Sequence, residues 1–218
     1  MKIIAFGNSR YKRVAHNWAL YLHRHGIENY TIYSLDQNIY DYLVKNKINT
    51  ILCPLGIFGG AKWDWGKRLK FISKLLNEGA SVLHSDLDAI WLKNPLDLIE
   101  EKYDIVASTG TFPPNVCQKI GYTLCMGWIY YKPSCIVKEL FTNTLHEYSK
   151  DNFDDQREFN NELFTSPKYE NLKLKALDQG IISRANIHDS ETYVAHPLSP
   201  KHIDREAFLK NKNLWILK

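Results

Sequence analysis

Short apolar runs alternate along this chain with longer stretches whose apolar positions recur at helical spacing. Ile3, Ile4, Ala5 and Phe6 form a first run that closes at Gly7. A helix is predicted from about Lys12 to His25, with Val14, Trp18, Tyr21 and Leu22 on one side and Gly26 placed to end it. Residues 30–36 are rich in β-branched and aromatic types and read as a strand. A helix from Asp36 to about Lys47 and a third strand at 50–53 follow. Strand, helix, strand, helix, strand predicts a parallel sheet with helical crossovers.

The pattern continues with a helix from about Gly66 to Asn77, carrying Leu69, Ile72, Leu75 and Leu76, then Gly79 and an apolar strand from Ala80 to Leu83. Residues 103–107 read as a strand, 108–121 as a loop, and 122–131 as a long strand interrupted by Gly127. A glycine inside a strand predicts a bulge or a close approach to the backbone. Pro133 opens a helix to about Tyr148, and 151–163 reads as an acidic helix start with Phe159 and Leu163 on its apolar face. Short strands near 172–177 and 181–183 and an amphipathic tail complete the chain. The expected fold is α/β, a Rossmann-like, mostly parallel central sheet flanked by helices, in a single domain over 1–218.

Composition narrows the function more than the fold. With 218 residues and a net charge of only +4, both signs mixed, the chain has no nucleic-acid footprint. No apolar stretch approaches the roughly 20 residues that span a bilayer. The N-terminal run is too short and too quickly polar for a secretory signal. Cys53, Cys117, Cys125 and Cys135 show no Cys-x-x-Cys spacing, which predicts buried thiols in a reducing compartment and a cytoplasmic protein.

The chemistry concentrates where the central strand ends, in Val82-Leu83-His84-Ser85-Asp86-Leu87-Asp88-Ala89-Ile90-Trp91. Strand alternation predicts that Asp86 and Asp88 point to the same side. Two carboxylates that close repel each other unless a cation lies between them or one takes a proton. Oxygen ligands of this kind suit Mg²⁺ or Mn²⁺ with positions left open for substrate phosphates. The plainer alternative is that Asp86 caps a following helix while Asp88 faces water. Ligands of parallel α/β sheets bind beyond the strand C-terminal ends, where Gly7–Tyr11, Asp36 and the aspartate pair all fall. A Gly-x-Gly-x-x-Gly fingerprint and a Walker A loop are absent. Lys67 and Arg68, in a first helical turn beside the glycine-rich loop 55–65, are placed to reach a diphosphate. Asp154 and Asp155 are equally accounted for as ordinary dipole partners of a helix start.

Together these blocks resemble the nucleotide-diphospho-sugar transferases with a GT-A fold. The resemblance is carried by the aspartate block running on to Asn94-Pro95, by Met126-Gly127-Trp128-Ile129-Tyr130-Tyr131-Lys132-Pro133, by Asp155-Gln156 followed by Phe159-Asn160, and by His196. In its small size the chain is also similar to chlorovirus-type glycosyltransferases. The resemblance implies that Asp88 chelates Mn²⁺ or Mg²⁺, that Asp86 contacts the ribose or sugar and helps hold the metal, and that His196 completes the metal shell, with His202 the alternative. It implies that Gly7, Asn8, Arg10 and Asp36 hold the nucleoside of a UDP-sugar, and that Lys67 or Arg68 neutralises the diphosphate. Asp155, beside Gln156, becomes the candidate base toward a hydroxyl of a glycan or glycoconjugate acceptor, in an enzyme of the hexosyltransferase type. Three rivals are weighed against this, the plainest a structural protein in which all three acids cap helices. A haloacid-dehalogenase-type phosphatase also uses Asp-x-Asp after a strand, but normally the first strand and with a small Gly/Thr-rich turn after it. A non-catalytic nucleotide-sugar-binding protein would keep the same pocket.

Overall fold

In a computed structural model, all residues are described except 54–64, 147, 149–152, 186 and 199–202. The expected glycine-rich loop and His202 therefore lie outside, or largely outside, the described residues. The chain passes several times between two compact units. One comprises Met1–Lys2, Lys62–His84 and Leu98–Gln179, and the other Ile3–Ala61, Ser85–Asp97 and Gly180–Lys218.

The second unit begins with the alternation read from the sequence. Strand β1 (Lys2–Gly7) pairs in parallel with β2 (Tyr30–Ser34), and β2 with β3 (Thr50–Leu52). The crossovers are α1 (Lys12–Arg24) and α2 (Gln37–Lys45). Helix α1 turns Val14, Ala15, Trp18, Tyr21 and Leu22 inward, and Trp18 meets Tyr30 edge-on with ring centroids 5.5 Å apart.

The same unit holds a small three-stranded sheet. Strand β5 (Ile90–Trp91) runs antiparallel to β10 (Val194–Ala195), which is parallel to β9 (Ile182–Ser183). Near the C-terminus, α7 (Arg205–Asn211) is capped by the Asp204 carboxylate, which accepts from the Glu206 and Ala207 amides. The following segment returns across α1 and is held by buried Asn17. Its Nδ2 donates to the Leu214 carbonyl (2.9 Å), and its Oδ1 accepts from the Ile216 (2.8 Å) and Leu217 (3.2 Å) amides.

The first unit contains α3 (Trp65–Asn77), β4 (Val82–Ser85), β6 (Ile105–Gly110), α4 (Pro114–Ile120), β7 (Thr123–Tyr131), α5 (Cys135–His146), α6 (Asp155–Thr165) and β8 (Leu174–Leu177). Its strand order is β4-β7-β6-β8, with β6 antiparallel to β7 and parallel to β8. Tyr131, Phe141 and Phe159 pack edge-to-face at 4.9–5.8 Å and tie β7 to α5 and α6.

Residues 108–121, expected to be a loop, instead extend β6 to Gly110 and form α4. Pro114 occupies the first turn, where a missing N–H costs no hydrogen bond, and Gly121 ends the helix at φ 92°. The break expected at Gly127 is present. Ala107 faces Ile129 while Ser108 faces Cys125, so 126–128 bulge out of register. Among the described residues, no helix is long and apolar enough to cross a membrane.

Candidate functional site

The aspartate pair converges by a route the strand pattern did not predict. Strand β4 ends at Ser85, and residues 86–89 form a turn in which the Ala89 amide donates to the Asp86 carbonyl (3.1 Å). The turn, rather than the pleat of a strand, carries both carboxylates. The element after it is β5, so Asp86 caps no helix there. Buried Ser85 fixes this geometry. Its hydroxyl accepts from the Trp18 indole (3.3 Å) and the Trp91 indole (3.1 Å), and donates to the Asp86 carbonyl (3.2 Å).

Strand β10 delivers His196 to the turn. Ala195 pairs with Ile90, and the His196 amide donates to the Ser183 carbonyl (2.8 Å). His196 Nε2 then lies 3.8 Å from Asp86 Oδ2 and 3.6 Å from Asp88 Oδ1. One ligand atom from each of the three residues falls within 4.8 Å of the others. Arg205 Nε stands 3.3 Å from Asp88 Oδ2 and 3.4 Å from the Tyr11 hydroxyl. Burial pushes the Asp88 carboxyl up, but the hydrogen bond and charge of His196 and the charge of Arg205 outweigh it and hold the group below the ordinary aspartate range.

Two carboxylate oxygens and one imidazole nitrogen are hard-to-borderline donors, and a single histidine among oxygens suits Mn²⁺ as well as Mg²⁺. Three protein ligands leave coordination positions for other oxygens. The residues present therefore fit a divalent ion.

The loop after β1 belongs to the same unit. Asp36 caps α2 through Oδ1, which accepts from the Ile39 amide (3.1 Å), and its Oδ2 accepts from the Ser9 amide (2.7 Å). Asn8 Oδ1 accepts from the Arg10 amide (3.1 Å). Both side chains thus shape the loop, and Arg10 is exposed. Gly7 packs against the aspartate turn, since a Cβ there would sit 2.7 Å from Leu87 Cδ1.

Arg68, Asp155 and Gln156 are brought together in the first unit, and Lys67 precedes Arg68 in the first turn of α3. Lys67 and Arg68 are buried at 2% and 4% exposure. Arg68 donates to Asp155 Oδ2 through Nε (2.7 Å) and Nη2, and Asp155 Oδ1 accepts from the Gln156 amide (2.9 Å). Gln156 grips the bulge in β7, its Oε1 accepting from the Met126 amide (3.2 Å) and its Nε2 donating to the Phe112 carbonyl (2.8 Å). Burial pushes the neighbouring Tyr131 phenol well up, against the pull of Arg68.

Sequence reasoning gave no site role to Ser85, Trp18 or Arg205, and reached Tyr11 only as the end of the loop after β1. The Asp204 cap was a readable sign of a helix start, but nothing local ties the residue after it to Asp88, 117 positions earlier in the numbering.

Comparison with known proteins accords with this geometry. A family model described as nucleotide-diphospho-sugar transferase matches residues 63–203. The arabinosyltransferase RRA2 of Arabidopsis thaliana is 23% identical over 198 residues, covering 78% of this chain and 46% of its own length. Among solved structures, the glycosyltransferase GlyE of Streptococcus pneumoniae TIGR4 superposes with TM-score 0.63 at 17% identity, over 96% of this chain and 59% of that one. An active-site mutant of LgtC gives 0.62 at 15% identity, over 100% and 97%. A glycosyltransferase involved in glycosylation of the major capsid of PBCV-1 gives 0.58 at 11%, over 96% and 98%. The chain thus spans less than half of the curated relative and well under two thirds of GlyE, while it matches LgtC nearly end to end. The structural likenesses establish the GT-A fold, and the matched family model establishes that this chain belongs to the nucleotide-diphospho-sugar transferases.

Proposed function

We propose that this chain is a metal-dependent glycosyltransferase that moves a sugar from a nucleotide-diphosphate sugar, UDP-linked, to a hydroxyl of a glycan or glycoconjugate. The observation that carries the reading is the convergence of Asp86, Asp88 and His196 at the end of the central strand. A divalent ion bound there would supply positive charge against the diphosphate as the nucleotide departs, which stabilises the transition state more than the ground state. Asp88 and His196 would be its main protein ligands. Asp86 would share the metal and face the donor. The loop of Gly7, Asn8 and Arg10, with Asp36 fixing its shape, would receive the nucleoside.

Asp155 and Gln156 are proposed to face the reacting sugar and the acceptor. The pairing of Asp155 with Arg68 supports a role in which the carboxylate positions and stabilises an oxocarbenium-like species, because a carboxylate held by a guanidinium is a weak base. Lys67 and Arg68 contribute positive charge in the same unit. Of the thiols expected to be buried, Cys53 and Cys125 are, while Cys117 is half-buried and Cys135 is exposed. Family membership removes the phosphatase alternative. The non-catalytic binding alternative predicts donor binding without turnover.

The test is calorimetric titration of UDP into metal-free protein, with and without Mn²⁺, on the natural chain and on Asp88→Ala. Binding that requires both the ion and Asp88 supports the reading, and metal-independent binding or none rejects it. Hydrolysis of UDP-hexoses and UDP-pentoses then separates the hexosyl expectation from a pentosyl donor, which the name of the arabinosyltransferase relative brings in. Donor binding with no hydrolysis or transfer would leave only the binding protein.

A further inference from the structure

Arg205 occupies an unusual place for a cation. Its Nε lies 3.3 Å from Asp88 Oδ2, on one oxygen of the carboxylate whose other oxygen faces His196 at 3.6 Å. It also reaches the hydroxyl of Tyr11, the last residue of the loop after β1. A guanidinium here competes with any cation for Asp88 and repels it, since both carry positive charge a few ångströms apart.

The helix carrying Arg205 is firmly held. Arg13 of α1 bonds Glu206 at 2.8 Å, and Asn17 grips the backbone at Leu214, Ile216 and Leu217. The Arg13 guanidinium also lies over the Trp215 ring at 5.8 Å. The chain that follows Arg205 is therefore anchored, while the Arg205 side chain keeps 25% exposure. The long, part-exposed side chain can turn on this support. A guanidinium released from a carboxylate pairs most strongly with another planar or tetrahedral oxyanion, a phosphate above all.

We propose that Arg205 makes metal and donor binding interdependent: it holds Asp88 in the absence of donor and passes to the diphosphate when the donor arrives, freeing Asp88 for the ion. This rests on the metal-site reading above and adds a donor-binding residue and a binding order to it. By linkage, what UDP does to the ion's affinity the ion does equally to UDP's. The Arg205 contribution to that coupling comes on top of the direct bond between ion and diphosphate.

The test is titration of MnCl₂ into metal-free protein, alone, with saturating UDP, and with saturating uridine as a phosphate-free control. It is run on the natural chain, Arg205→Ala, Arg205→Gln and Asp88→Ala. In the natural chain, UDP tightens Mn²⁺ binding strongly and uridine does not. In Arg205→Ala, Mn²⁺ alone binds tighter, on the order of 5–10-fold, UDP binds weaker, and the UDP-induced tightening shrinks on the order of tenfold or more. Arg205→Gln removes the charge and the end of the guanidinium but keeps a polar group at the ε position that faces Tyr11, and shows the same signs, so a folding defect of one variant does not decide the outcome. If Mn²⁺ tightens equally with and without UDP, Arg205 is a bystander charge and the proposal is overturned. Unchanged affinity for Mn²⁺ alone overturns it as well. If instead Asp88→Ala binds Mn²⁺ like the natural chain, the metal site itself fails, which is a different result from the failure of Arg205.

Discussion

Leu87 Cδ1 lies 2.7 Å from the point where a Cβ on Gly7 would stand. The middle residue of the Asp86-Leu87-Asp88 turn thus packs onto the end of the first strand at a position where an added Cβ would force its methyl to shift. Ile39 Cδ1 closes the same space at 3.0 Å, and both neighbours are buried, at 2% and 0% exposure. Leu87 thus anchors the turn between the two aspartates.

Gly7→Ala should therefore destabilise the protein by about 1–3 kcal/mol, the range for overpacking a filled interior. Because the residue that must yield lies between the two aspartates, the variant should also weaken Mn²⁺ binding. Gly7→Ala combined with Leu87→Val removes the offending methyl and should recover part of both losses. Urea denaturation and Mn²⁺ titration measure the two effects. If the double variant is as impaired as the sum of the single ones, Leu87 is not the residue the new Cβ strikes.

This contact also shows where sequence reading stopped. The alternation from Ile3 to Cys53 carried this parallel part of the fold, because β-branched runs and helical spacing are local signals and the helices end at Arg24 and Lys45, two residues before Gly26 and Lys47. Asp86 and Asp88 were singled out because two carboxylates one residue apart demand a partner. The turn that joins them depends on Ser85 accepting from Trp18 and Trp91, one of them 67 positions away, and no local pattern encodes that. Helix α4 was missed although Pro114 and Gly121 mark both its ends, since seven residues with little apolar periodicity resemble a loop. Arg68 and Asp155 were read as separate charges. Only tertiary packing across 87 positions makes them a pair.

Tyr30 gives the fold an alkaline limit. Its ring is 1% exposed and its hydroxyl bonds His23 Nε2 at 2.9 Å. Burial pushes the phenol up to about 12, against a smaller opposing effect of the Asn49 hydrogen bond. In the unfolded chain a tyrosine ionises near 10, so between about pH 10 and 12 the unfolded state gives up a proton that the folded state keeps. The stabilisation from a neutral Tyr30 is complete below about pH 10 and is lost as pH rises through that window, by up to about 2–3 kcal/mol. Urea midpoints from pH 8 to 11.5 should fall steeply at the upper end. Tyr30→Phe should start lower, having lost the His23 bond, and decline less. Equal slopes for the two proteins would place the alkaline sensitivity elsewhere.

The Arg68–Asp155 pair separates stability from chemistry. Both side chains are almost fully buried, at 5% and 4% exposure, and they stand beside Tyr131, whose phenol burial keeps protonated. Removing one partner leaves a charge in a poor solvent, so Arg68→Ala should cost about 3–5 kcal/mol. Replacing both by apolar groups of similar volume, Arg68→Met with Asp155→Leu, removes the unpaired charge as well as the pair and should recover most of that stability. Thermal unfolding checks this step. Sugar transfer should not return with stability if the pair is kept for its charge near the reacting groups, while calorimetric binding of Mn²⁺ to the Asp86, Asp88 and His196 cluster should stay close to that of the natural chain. A double variant that regains both stability and transfer would show that the pair serves packing alone and that the chemistry resides in other residues.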